Sequence, residues 1–139
     1  MLEADSALLT SKTMEGLPLP GPGQKRRVAA IDIGTNSTHL LVALVDTTLR
    51  TFSILQAEKS TTRLGERDPE SGELTPAAME RGYETLRRFR DLAISHQVEQ
   101  IVTAATSAVR EAPNGRDFLQ KVNDGLGMDV DPSEVWGLF

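Results

Sequence analysis

Residues 28–45 read VAAIDIGTNSTHLLVALV. Two aliphatic runs flank a polar corner. The first run holds Val28, Ala29, Ala30, Ile31 and Ile33, and the second spans His39 to Val45. Both are short and aliphatic or β-branched, as strands are. A tight polar turn between two strands makes a hairpin. This turn, Gly34-Thr35-Asn36-Ser37-Thr38, follows Asp32 and concentrates hydroxyl and amide groups at one corner. Two readings of it stand side by side. Gly and Asn supply positive φ and Ser/Thr satisfy free backbone groups in any hairpin. The same residues also aim backbone N–H groups and hydroxyls at one anion, as a phosphate loop does.

The remaining elements follow from this hairpin. Arg50 to Lys59 alternates as a third strand, with Phe52, Ile54 and Leu55 expected inward. Three consecutive antiparallel strands form a meander. Residues 60–72 are polar and contain Gly and Pro, so they form a loop. Within that loop Arg63 is either solvated or turned toward a phosphate, which a planar guanidinium suits. Thr75 and Pro76 are the N-cap and first position of a helix whose apolar stripe is Ala78, Met79, Tyr83, Leu86, Phe89, Leu92 and Ala93. Gly82 weakens that helix or allows close packing. Arg87, Arg88 and Arg90 are expected on its solvated face.

Ile101 to Ala105 is a short buried run after a helix, which predicts a parallel crossover strand. Ser107 to Ala112 predicts a short helix. Asn114, with Asp117 in capping-box position, predicts the cap of the next one. That helix has Phe118, Leu119, Val122 and Leu126 on its apolar face and Gly125 or Gly127 at its end. Met128 to Val130 is expected to begin a last strand. Thr106, Ser107 and Arg110 directly follow the buried strand, at the carboxyl end where open α/β sheets place ligands. They are either a helix start with a surface Arg or a second phosphate-holding segment.

Composition bounds the chemistry. The chain has 139 residues, enough for one core, and no Cys, so disulfides and thiolate chemistry are excluded. His39 and His96 are too few and too far apart to suggest zinc. No apolar run approaches the roughly 18 residues of a membrane span, and no signal-peptide pattern opens the chain, so a cytoplasmic location is expected. A net charge of −5 argues against bulk nucleic-acid binding. A polyanion ligand needs local positive charge instead, and Lys25, Arg26, Arg27, Arg63 and Arg110 are the candidates. Residues 1–24, with their Pro/Gly-rich second half, read as a disordered tail.

The string IDIGTNSTHLLV resembles the first phosphate motif of the actin-like ATPase superfamily. It is most similar to the exopolyphosphatase and guanosine pentaphosphate phosphohydrolase family, where Asp-x-Gly-x-Asn-Ser opens the chain. Ala105, Thr106, Ala108, Arg110, Ala112 and Asn114 are similar to that family's second motif, Ala-Thr-x-Ala-x-Arg-x-Ala-x-Asn. The Arg63-Leu64-Gly65 segment resembles the family's basic-Leu-Gly segment. The resemblance implies an α/β fold: the N-terminal lobe of an actin-like (ribonuclease H-like) domain over 25–130, with a mixed sheet.

The activity it implies is Mg²⁺-dependent release of terminal phosphate from polyphosphate or guanosine pentaphosphate. Gly34, Thr35, Asn36 and Ser37 would cradle a phosphate, Asp32 would orient water or the metal, and Arg63 and Arg110 would neutralise charge. Family members continue with Ser-Gly-x-Glu-Glu-Ala-Arg, whose Glu is taken as the general base, and then Asp-x-Gly-Gly-Gly-Ser. Residues 131–139 do not match that continuation, and Glu134 is not assigned the base role. The expectation is therefore a truncated piece with little activity alone, completed by a complementary lobe or a homodimer. Two alternatives are a non-catalytic half-domain that binds guanosine tetra- or pentaphosphate or a partner chain, and a fragment of an actin-like kinase.

Overall fold

A computed structural model describes residues 25–130. The expected tail over 1–24 and the non-matching end over 131–139 lie outside the described residues. Four strands form one sheet: β1 (Lys25–Ile33), β2 (Ser37–Asp46), β3 (Thr51–Thr61) and β4 (Gln100–Ala105). The order is β3-β2-β1-β4. The first three are the expected antiparallel meander, and β4 pairs with β1 in parallel, Ile33 opposite Ala105. Three helices complete the described fold: α1 (Pro76–Ser95), α2 (Ser107–Glu111) and α3 (Gly115–Leu126).

One sheet face carries Ala29, Ile31 and Ile33 from β1 with Leu40 and Val42 from β2. These join Leu86 and Phe89 of α1 and Phe118, Leu119 and Val122 of α3 in a single buried cluster. The α1 boundary is local chemistry: Thr75 Oγ1 accepts the Ala78 N–H at 3.1 Å, and Pro76 follows the cap. Gly82 serves packing, because a Cβ there would sit 3.1 Å from Phe118 and 3.2 Å from Leu64. Arg87 is on the exposed face, bonded to Glu84 and Asp91. Arg90 instead reaches the Leu126 carbonyl at 3.2 Å and holds the end of α3.

Three expectations are corrected. Phe52, Ile54 and Leu55 do not point inward; they are 50%, 59% and 38% exposed. Phe52 and Ile54 pair with Val45 and Ala43, on the face away from α1 and α3, while a register shift leaves Leu55 without a partner on β2. Lys25 to Arg27, named among the candidate cations, form the start of β1, paired with Asp46, Val45 and Leu44. They therefore sit roughly 20 Å of strand away from Ile33 and do not converge with the other cationic residues. Met128 to Val130 form no strand; Met128 and Val130 turn into the core instead.

Asn114 precedes α3, but its side chain makes no capping bond. It accepts the Leu74 N–H at 2.8 Å and donates to the Leu74 carbonyl at 3.1 Å, 40 residues away. Replacing Asn114 by alanine leaves both backbone groups of a residue that is 1% exposed without partners. The expected loss of stability is about 2–4 kcal/mol, read from the urea midpoint at unchanged slope.

Candidate functional site

The parallel pair β1 and β4 brings two polar corners to the same end of the sheet. Ile33 closes β1, and Gly34, Thr35 and Asn36 turn the chain into β2. Four carbonyl groups at this corner are engaged. Ile33 O accepts both the backbone N–H and the hydroxyl of Thr106, each at 3.0 Å. Ser37 O accepts the Gly34 N–H at 3.0 Å. Thr35 O accepts the Gly65 N–H at 2.8 Å, and Asn36 O accepts the Arg63 N–H at 3.0 Å.

The N–H groups of Thr35 and Asn36, by contrast, have no backbone acceptor among the described residues. The side chains of Thr35, Asn36 and Ser37 likewise make no hydrogen bond there, and Thr35 and Asn36 are exposed. The Thr35 and Asn36 carbonyls are tied back while the N–H groups of the same residues are free among the described residues, so the corner turns backbone donors and side-chain hydroxyl and amide groups outward. That polarity favours an anion.

The Arg63 turn buttresses the corner. Leu64 is fully buried in the core, which pins the turn while Arg63 stays exposed. Arg63 has φ 49°, the left-handed region that non-glycine residues seldom adopt. Behind the two loops, Thr38 and Thr62, both buried, share a hydroxyl–hydroxyl hydrogen bond of 3.0 Å. On the other side Arg67 donates to the Ala108 carbonyl of α2.

The predicted site residues thus fall into two groups. Gly34, Thr35, Asn36, Arg63 and Thr106 are joined by direct backbone bonds. Thr106 was expected to hold phosphate, yet both of its polar hydrogens go to Ile33 O; it fastens the corners together. Ser107 begins α2, half-buried, and Arg110 lies one turn on, exposed, with its backbone N–H on Thr106 O. Arg67, Thr62 and Arg81 were not marked by the sequence, because their partners are remote and no local pattern identifies them.

Asp32 stands on the exposed face of β1, between His39 of β2 and Ala104 of β4. Burial around its carboxyl raises its pKa above the ordinary 3.8, and the charge of His39 opposes that rise. The folded chain therefore holds the Asp32 proton more tightly than the unfolded chain. The favourable contribution is present below the ordinary value and is lost as the pH rises through the raised one. Asp32→Asn is expected to melt slightly higher than the parent at neutral pH, with the difference shrinking as the pH falls through the raised value. An equal or lower melting temperature at neutral pH would contradict this.

A mixed α/β sheet led by a β-hairpin, with hydroxyl-rich corners at the end of its parallel pair, defines the class: this is the actin-like ATPase fold. Within that class, the chain belongs to the Ppx/GppA phosphatase family, whose profile matches residues 41–131. The matched span includes Arg63, Thr106, Ser107 and Arg110; Asp32 and Gly34 to Ser37 precede it.

Among curated proteins, Exopolyphosphatase 1 of Mycobacterium tuberculosis is 33% identical over 105 residues, covering 75% of this chain and 30% of the relative. Exopolyphosphatase 2 of the same species is 36% identical over 103 residues, covering 73% and 32%. The crystal structure of the Aquifex aeolicus Ppx/GppA family member superposes with a TM-score of 0.73 at 31% identity, over 78% of this chain and 35% of that one. An exopolyphosphatase from Cytophaga hutchinsonii gives 0.71 at 33% identity, over 77% and 34%. The chain spans about a third of the length of these relatives. Among the described residues no helix is long and apolar enough to cross a membrane.

Proposed function

We propose that the Gly34–Ser37 corner binds the terminal phosphate of inorganic polyphosphate, as one wall of a cytoplasmic exopolyphosphatase-type site. The observation that carries this reading is the polarity of the corner: the Thr35 and Asn36 carbonyls are engaged, while the N–H groups of the same residues are free among the described residues. The Asn36 and Ser37 side chains add donors, and Arg63 and Arg110 supply the positive charge that phosphate oxygens require. Relatives named exopolyphosphatases favour polyphosphate; guanosine pentaphosphate presents the same terminal phosphoanhydride and is the second candidate.

In the hydrolytic reaction water attacks the terminal phosphorus and the bond to the bridging oxygen breaks, leaving the shortened chain. Such transfer is driven by positioning and charge neutralisation. In this reading Asp32 orients that water. The described residues contain no cluster of three or more His, Asp or Glu side chains. A Mg²⁺ ion would accordingly be held by Asp32 together with phosphate oxygens and water, a donor set that suits this hard cation. Bound there, it would neutralise phosphate charge. The wall facing this corner would come from a complementary lobe or a second copy.

Titration calorimetry with tripolyphosphate tests the reading. The 139-residue chain is expected to bind it with an affinity that falls steeply with salt, and to release phosphate from polyphosphate slowly at most. Preference for ATP over tripolyphosphate would move the assignment to an actin-like kinase. Failure to bind any of these anions would end it.

A further inference from the structure

Arg81, on α1, makes two charge-assisted contacts at once. Its Nε donates to the Thr62 carbonyl at 3.0 Å, and its Nη2 donates to Glu66 Oε1 at 3.0 Å. The two acceptors bracket the Arg63-Leu64-Gly65 turn. Thr62 is fully buried. Glu66 is 46% exposed at its side chain, and its pKa is lowered first by the Arg81 hydrogen bond and then by the Arg81 charge. The bracketed turn contains the left-handed Arg63 and donates the two N–H groups that tie back the Thr35 and Asn36 carbonyls. A planar guanidinium can span such a pair of acceptors, whereas an ammonium cannot match both directions.

We propose that Arg81 is a positioning residue for the anion corner: by holding both ends of the Arg63 turn it fixes the direction of the Thr35 and Asn36 N–H groups toward a polyphosphate terminus. The inference rests on the phosphate-binding reading above. Arg81 acts through the turn and does not touch the ligand. Its effect is thus separable from that of a cation that merely attracts a polyanion.

Glu66 provides that separation. Removing a carboxylate beside an anion site tightens binding if only charge matters. If Arg81 needs Glu66 to hold the turn, removing it weakens binding. The experiment measures tripolyphosphate affinity by calorimetry on the full 139-residue chain, with amide hydrogen exchange as a ligand-free readout. Glu66→Ala is expected to bind about threefold more weakly, and Arg81→Met about tenfold more weakly, with Arg81→Lys close to Arg81→Met.

Exchange at the Arg63 and Gly65 amides is expected to accelerate in Arg81→Met while helix content is unchanged. Equal or tighter binding by Glu66→Ala, or unchanged exchange at those amides, overturns the proposal. Should the parent chain fail to bind tripolyphosphate, the phosphate reading falls, and the exchange data still decide whether Arg81 holds the turn. Should Arg81→Met fail to fold, the exposed Glu66→Ala decides alone.

Discussion

Gly115→Ala is expected to destabilise the domain by about 3–5 kcal/mol, the range of severe core overpacking. Gly115 is buried and opens α3. A Cβ built on it overlaps the Val109 carbonyl oxygen and lies 2.9 Å from the carbonyl carbon. The obstacle is backbone, so no rotamer change relieves it. Val109 belongs to the core, and the Asn114 side chain anchors the neighbouring residue to Leu74. Either α3 moves away from Val109, or Val109 leaves its packing.

Gly125 provides the contrast. A Cβ there meets the Tyr83 hydroxyl, the far end of a half-buried side chain that can swing aside. Alanine also favours the helix by roughly 1 kcal/mol over glycine. Gly125→Ala is therefore expected within about 1 kcal/mol of the parent. Urea denaturation distinguishes the two; a Gly115→Ala midpoint equal to that of Gly125→Ala would refute the close approach of α2 and α3.

Gly34→Ala carries the largest expected effect on the site. Its Cβ would sit 2.7 Å from Ser37 O, the atom that accepts the Gly34 N–H. The corner must open, and the donors of Thr35 and Asn36 then splay. Tripolyphosphate affinity is expected to fall about a hundredfold, near 2.8 kcal/mol at 1.4 kcal/mol per factor of ten. Stability should fall by only about 1–2 kcal/mol, because the strands on either side keep their own pairing. Calorimetry and thermal melting on the same preparation check both numbers. An affinity within threefold of the parent would show that the corner is a structural turn.

What could be read from the sequence was local. Thr75-Pro76 caps α1 because both signals lie within one turn. The aliphatic runs of β1 and β2 and the short buried run of β4 identify themselves by composition. β3 misled because TFSILQAEK alternates as a half-buried strand does, yet its apolar members face the side away from α1 and α3. Alternation gives a period but not which face is covered. Asn114 is the N-cap of α3 as its position indicates, but the capping box is not made, because its side chain bonds Leu74.

The candidate site divides along the same line. Asp32 and Gly34 to Ser37 were recognisable from their own chemistry, as was the Thr106 segment. Their union was not, since it depends on bonds from Arg63, Gly65 and Thr106 to carbonyls far away in the chain. Arg81 sits among polar residues of a helix face, where nothing in its neighbours distinguishes it from Arg87.

The pair of hydrogen bonds from Thr106 to Ile33 O also has a mechanical meaning. It staples the ends of two parallel strands at the point where each leaves the sheet. α2 cannot then tilt without pulling on Gly34, and the hairpin corner cannot lift without dragging α2. The two corners behave as one jaw of a clamp rather than as two independent fingers.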